Sequence, residues 1–211
     1  MVYYLVRHAQ SEANAGISGA PIDCEITALG RHQAEATGER LAQLGVDIIL
    51  CSPYIRALET GTAIHLATGA PLEVFTPIHE HHVEPFPDVW PLLGRRALLA
   101  RFPHLQIPDD FADKGWHHPP ETDAQALARM GSAWDLIRKR FANDPERHTR
   151  RVCLVSHGSP TGKLIMAFQG ITTIHADIRI ENASISLLQD LPGKKIVWGT
   201  NWVDHLPERT W

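Results

Sequence analysis

Val2-Tyr3-Tyr4-Leu5-Val6, running into Arg7-His8, is a short unbroken apolar segment that ends in a guanidinium and an imidazole. It barely alternates and is rich in β-formers, which predicts a strand buried on both faces, as in the interior of a parallel sheet. Two later segments share this design. Asp47 to Cys51 leads into Ser52-Pro53-Tyr54-Ile55-Arg56-Ala57, and Arg151 to Ser156 leads into His157-Gly158. Each strand-like run thus delivers a cationic or imidazole side chain at its C-terminal end. In open α/β sheets that edge is where ligands bind. Two imidazoles and two guanidiniums converging there predict a phosphate pocket.

The connecting segments read as helices. Thr27 predicts an N-cap, and Ala34, Leu41, Ala42 and Leu44 follow at helical spacing until Gly45 stops them. Pro53 stands where a helix can begin, since a missing N–H costs nothing in the first turn; that helix ends near Gly69. Leu72 to Phe75 predicts a short strand. Thr122 or Asp123 predicts the cap of a helix through Leu127, Met130, Trp134, Ile137 and Phe141, and another helix runs from about Ser159 to Gln169. Ser184–Leu188 and Lys195–Gly199 predict the last strands. This βα rhythm argues for an α/β protein of three layers, α/β/α, with a mostly parallel sheet and helices on both faces. Residues 1–211 read as one domain. Residues 77–121, rich in proline, histidine and aromatics and helical around Arg95–Arg101, read as an insertion over the C-terminal sheet edge that caps the substrate. Such long irregular segments are more often functional than idle.

Composition narrows the function. With 20 Lys and Arg against 24 Asp and Glu, a net charge of -4 gives no support to nucleic-acid binding. A few local arginines can still hold an anionic small molecule, because a cleft focuses field locally. Three cysteines, Cys24, Cys51 and Cys153, form no CxxC pair and predict a reduced, cytoplasmic protein. The apolar run at residues 2–6 is too short for a signal peptide and is followed, not preceded, by charge. No stretch approaches the ~20 apolar residues that span a bilayer.

A histidine attacks phosphorus when one ring nitrogen is free and the other donates a hydrogen bond that fixes the tautomer. The rest of such a site is positioning and electrostatic clamping, for which the planar, permanently charged arginine fork is suited. Arg7, Arg56 and His157 supply the clamp around His8, while Ser11 and Asn14 can add neutral contacts. A carboxylic acid must finally protonate the leaving oxygen.

Arg7-His8-Ala9-Gln10-Ser11-Glu12-Ala13-Asn14 resembles the RHG(E/Q)(T/S)xxN signature of the histidine phosphatase superfamily, the phosphoglycerate mutase-like proteins. Ile26 to Ala34 resembles that family's LTxxGxxQA helix start, and Ser52 to Thr60 its SxxxRAxxT segment. Val155-Ser156-His157-Gly158 is similar to its second-histidine motif, and Glu181 to Ile185 to its late N-x-S strand entry. The resemblance implies a histidine acid phosphatase-type phosphomonoesterase without cofactor or metal, acting on a small phosphorylated metabolite. His8 would be transiently phosphorylated, Arg7, Arg56 and His157 would hold the phosphoryl oxygens, and Asn14 and Ser11 would bind substrate. Glu80, in Ile78-His79-Glu80, stands where the family's proton donor usually lies; Glu84 and Asp88 are the reserves. Ala9 departs from the family's glycine. Ala13-Asn14 stands where the family's mutases carry Trp-Asn, which favours hydrolysis over the mutase reaction. No nucleic-acid or membrane partner is expected, and the chain is compatible with a homo-oligomer.

Rival chemistries leave marks too. His79-Glu80-His81-His82 invites a metal reading, but Val83 and Glu84 follow where an HxHxDH site needs Asp and His. Gly158-Ser159-Pro160-Thr161-Gly162-Lys163-Leu164 resembles a P-loop one residue short, with Leu164 where a magnesium-ligating hydroxyl belongs. A non-catalytic phospho-ligand-binding module remains the third alternative. Arg95 and Arg96 read as a solvated helix face, with contact to a second anionic group as the alternative. The tracts around His79–Trp90 and Trp116–His118 read as walls of the substrate pocket, with an apolar lid packed on the core as the alternative.

Overall fold

A computed structural model describes residues 1–83 and 92–210. Glu84 and Asp88 lie outside the described residues. Among the described residues seven strands form one sheet: β1 (Val2–Arg7), β2 (Ile48–Cys51), β3 (Leu72–Val74), β4 (Leu105–Gln106), β5 (Arg151–Ser156), β6 (Ile185–Leu191) and β7 (Lys194–Trp202). Their order is β4-β3-β2-β5-β1-β6-β7. The first five in that order are parallel, and β6 and β7 finish the sheet antiparallel. Five helices accompany them among the described residues: α1 (Ala28–Leu44), α2 (Ile55–Thr68), α3 (Arg95–Arg101), α4 (Asp123–Arg140) and α5 (Gly158–Phe168).

Strand side chains alternate between two cores. Tyr4, Val6, Ile49, Cys51, Cys153 and Val155 pack toward Leu41 of α1 and Leu58 and Ile64 of α2. Their neighbours Tyr3, Leu5, Ile48, Leu50, Val152 and Leu154 pack toward Met130, Trp134 and Ile137 of α4 and Leu164 and Phe168 of α5. Burial on both faces is why these strands carry no polar alternation. The three thiols are buried and free. No helix among the described residues is long and apolar enough to cross a membrane.

Local signals act where expected. The Thr27 side chain accepts the Gly30 N–H at 3.0 Å, and Thr122 forms a capping box with Gln125. Gly45 and Gly69 adopt positive φ beyond α1 and α2. At Pro53 the outcome differs: α2 starts at Ile55, and the Asp23 carboxylate, 2.7 Å away, accepts the Ile55 N–H. An acid from a distant loop thus performs the capping.

Residues 77–121 divide. Leu98, Phe102, Leu105, Ile107 and Phe111 join the core on the α1 and α2 side, and β4 extends the sheet beyond β3. A two-residue strand carries too little periodicity to be read from sequence. Residues 79–82 and 118–121 instead lie at the C-terminal edge, where His81 reaches Ser159 of α5 and Glu121 donates its N–H to the His82 carbonyl.

Candidate active site

Register brings the distant motifs together. Arg7 is level with Ser156 across β1 and β5, and Cys51 is level with Val155 across β2 and β5. The next residues along these strands are His8, His157 and Ser52. The two imidazole rings lie edge to face with centroids 5.1 Å apart.

His8 is buried, and its Nδ1 lies 2.8 Å from the Ala9 carbonyl. A carbonyl only accepts, so Nδ1 carries the proton and Nε2 the lone pair. Arg56 Nε donates to that Nε2 at 3.3 Å. The same guanidinium donates to Ile22 O at 2.9 Å and to Glu80 Oε2 at 3.2 Å, and it lies over the Tyr54 ring. His157 presents Nδ1 at 3.3 Å from Glu80 Oε2, without a hydrogen-bond alignment. Its Nε2 is 2.7 Å from the Ser52 hydroxyl. Arg7 donates from Nη1 to Ile180 O at 2.6 Å, and its buried Nε has no hydrogen-bond partner. Burial pulls the Arg7 guanidinium down to about 10, opposed by Glu80, so it stays charged at neutral pH.

The loop after His8 is held from several sides. Thr60 Oγ1 accepts the Ala9 N–H at 3.0 Å, and Gln33 Oε1 accepts the Gln10 N–H at 2.9 Å. Gly30 lets α1 abut this loop: a Cβ there would stand 2.2 Å from the Gln10 carbonyl oxygen. Ala183, a non-glycine at φ 55°, directs its N–H to the carbonyls of Arg7 and His8. Such left-handed strain persists only where surroundings impose it, and it clusters at functional sites. Ala9 needs no left-handed geometry, since Ala183 and Asn201 are the non-glycine residues with positive φ among those described; the departure from glycine is accommodated there. Ser11 and Asn14 bond to each other, hydroxyl to Oδ1 at 2.9 Å, and join the site through Asn182, which donates to both Asn14 Oδ1 and His8 O.

Ser52, Thr60 and Asn182 are supports that sequence reasoning left without roles, although each lies inside a quoted motif. Arg129 gave no such signal. It extends from α4 to the carbonyls of Pro77 and His79, just before Glu80, and pairs with Glu121.

The other candidate motifs resolve differently. The histidines at 79, 81 and 82 do not converge on one point: His79 Nδ1 meets Glu80 O, His81 meets Ser159 and Glu121 O, and His82 Nε2 meets the Tyr54 hydroxyl. His8, Glu80 and His157 do place ligand atoms within 4.8 Å of one another. The Arg56 guanidinium bonds to two of these three residues, so a divalent cation there would meet its charge. Gly158 to Lys163 is helical from its first residue, so there is no loop to cradle phosphates. Arg95 is engaged by Ile107 O and Asp109.

Burial drives the His8 and His157 imidazoles well below their ordinary value, with Arg56 adding to the effect on both. Burial also brings His79, His82 and His118, which stack on one another, down to about 2, 3 and 4. In the unfolded chain each takes up a proton near pH 6.5, whereas the folded forms stay neutral, so the unfolded state binds more protons below that pH. Stability therefore falls as pH drops from about 6.5, by at most about 1.4 kcal/mol per pH unit for each histidine. Urea midpoints measured from pH 7 to 5 are expected to decline steeply, and His118→Gln to flatten the slope. A level midpoint contradicts this assignment of neutral rings.

The family model of the histidine phosphatase superfamily (branch 1) matches residues 3–202. A glucosyl-3-phosphoglycerate phosphatase of Mycolicibacterium vanbaalenii is 36% identical over 169 residues, covering 79% of this chain and 73% of that protein. Phosphoserine phosphatase 1 of Hydrogenobacter thermophilus is 24% identical over 208 residues, covering 97% and 93%. Among solved structures, a mycobacterial glucosyl-3-phosphoglycerate phosphatase in complex with VO3 superposes with a TM-score of 0.67 at 23% identity, covering 96% of this chain and 99% of that one, and so shares the fold. From the first strand to the last, this chain belongs to the histidine phosphatase superfamily.

Proposed function

We propose that the chain is a metal-independent phosphomonoesterase of histidine acid phosphatase type, acting on a small phosphorylated metabolite through a phosphohistidine on His8. One observation carries this reading: the His8 Nε2 lone pair, fixed by the Nδ1 contact to Ala9 O, sits beside Arg56 in a ring completed by Arg7 and His157. The names of the curated relatives support a metabolite phosphomonoester as substrate. The buried thiols suit a cytoplasmic setting, and residues 79–82 and 118–121, at the sheet edge, serve as the substrate cap.

In the first half-reaction, Nε2 attacks phosphorus, the N–P bond forms and the ester O–P bond breaks. The guanidiniums of Arg7 and Arg56 and the His157 ring stabilise the equatorial oxygens. The Ser52 hydroxyl, donating to His157 Nε2, keeps the His157 proton on Nδ1, which faces the ring. Glu80, inside the ring, enters as the carboxylic acid and gives its proton to the leaving alkoxide, becoming the carboxylate. Glu80 then takes a proton from water as that water attacks phosphorus, the N–P bond breaks, and phosphate departs.

Two experiments test the reading. A steady-state screen of phosphomonoesters in excess chelator is expected to show phosphate release, and release faster than isomerisation when 3-phosphoglycerate and a bisphosphoglycerate primer are offered. Abolition by chelator with rescue by zinc contradicts it. Glu80→Gln is expected to slow alkyl phosphate hydrolysis by about 10²–10³-fold but aryl phosphate hydrolysis much less, because a phenolate leaves without a proton. Equal losses for both leaving groups assign the acid elsewhere.

A further inference from the structure

A cavity of about 300 Å³, lined in part by Gly158, shares Arg7 with the phosphoryl site. Its other walls are Ser159 and Lys163 of α5, Asp123 at the start of α4, and the 177–180 segment with Asp177 and Arg179. Lys163 belongs to the P-loop-like motif that the phosphoryl site leaves without a role.

Lysine is almost never fully buried without a reason, yet the Lys163 side chain is 4% exposed. Its amine doubles back one turn to the N-terminal end of α5, 2.8 Å from Ser159 Oγ, and therefore stands at the sheet edge where the chemistry occurs. There it holds a carboxylate, Asp123 Oδ1 at 2.7 Å. That carboxylate is 63% exposed, and a second titratable neighbour is the His81 ring, with Nδ1 3.8 Å away. On the near side, Arg7 Nε is buried without a hydrogen-bond partner, and Gly158 places no side chain beside it. The cavity thus combines a buried primary ammonium, a guanidinium shared with the phosphoryl site and an exchangeable internal anion.

We propose that this cavity receives a second anionic group of the substrate, a carboxylate, with Lys163 as its principal cation. This rests on the reading of His8 as the phosphoryl acceptor, since the shared Arg7 sets the two anions on one molecule. A carboxylate suits the charge better than a second phosphate: with Asp123 displaced and Arg7 serving the phosphoryl group, Lys163 and Arg179 against Asp177 leave room for about one negative charge. Asp123 is the internal stand-in, and the substrate carboxylate takes its place on Lys163. The substrate class is then a short phosphomonoester of a hydroxy acid.

The test compares 3-phosphoglycerate with glycerol 3-phosphate, which differ only in carboxylate against hydroxymethyl, at fixed ionic strength. The unaltered protein is expected to favour the carboxylate. Lys163→Met is expected to lower the ratio of the two kcat/KM values at least tenfold, mainly through KM, and Lys163→Arg to retain most of it. Asp123→Asn, at an exposed position, is expected to shift the ratio the other way, lowering KM for 3-phosphoglycerate severalfold. A purely structural Lys163–Asp123 pair predicts equal losses on both substrates and no gain from Asp123→Asn; that result overturns the proposal. Calorimetry in a His8→Ala background gives the second arm, with Lys163→Met expected to weaken 3-phosphoglycerate at least tenfold more than inorganic phosphate. If neither these esters nor any phosphomonoester of the screen is hydrolysed by the unaltered protein, the hydrolase reading fails, while this binding comparison still decides the subsite. Equal weakening of the two ligands contradicts it.

Discussion

Replacing His8 by alanine lowers phosphomonoester turnover by at least ~10⁴-fold, the scale on which losing a nucleophile acts. The ring of Arg7, Arg56 and His157 stays in place, but it surrounds no atom able to form the N–P bond. Water alone would then have to attack, from a position that the site was not built to organise. The fold should survive, because Ala9, Gln10 and the carbonyls of Arg7 and His8 are held by Thr60, Gln33, Ala183 and Asn182, none of which bonds to the His8 ring. Circular dichroism of the variant should therefore match the parent while kcat collapses. Retention of more than a hundredth of the parent rate with good substrates would mean that another group attacks.

Arg56→Ala is expected to cost about 10³-fold in kcat. This one guanidinium bonds to His8, Glu80 and Ile22 O, so its loss removes charge from the transition state and frees the proposed acid. Arg56→Lys should recover little, because an ammonium lacks the fork that reaches three partners at once. A second signature accompanies the loss. Burial is the first cause of the depressed His8 imidazole and the Arg56 charge the next. Without Arg56 the ring protonates more readily, so the acid limb of the kcat/KM profile moves to higher pH. An unmoved acid limb with a normal rate would place Arg56 outside the site.

Much of this was legible in the sequence because the strands are buried on both faces. Continuous apolar runs at residues 2–6 and 152–155 leave few alternatives to a central parallel sheet. Helix starts at Thr27 and Thr122 announce themselves because a cap is a local event. The antiparallel finish of β6 and β7 is not local, and neither is the addition of β4 to the β3 edge. At the site, residues that supply charge stand at strand ends and are conspicuous. Those that hold them work across the fold: Asp23 on the start of α2, Asn182 between His8 and Asn14, and Arg129 beneath the Glu80 segment. Asp23 also illustrates the difficulty, since burial raises its carboxyl to about 6 although nothing in its neighbourhood of sequence suggests burial. Lys163 lay in a motif that resembles a P-loop one residue short and so had no role in the sequence, whereas the helix turns its amine toward a separate cavity.

The most direct test of the account is rapid quenching of the protein with a ³²P-labelled substrate, followed by peptide mapping. Label that is stable in base, lost in acid and carried by the peptide containing His8, appearing before free phosphate and absent from His8→Ala, is the predicted result. Turnover of that substrate with no label on the protein at any quench time would contradict a covalent histidine intermediate.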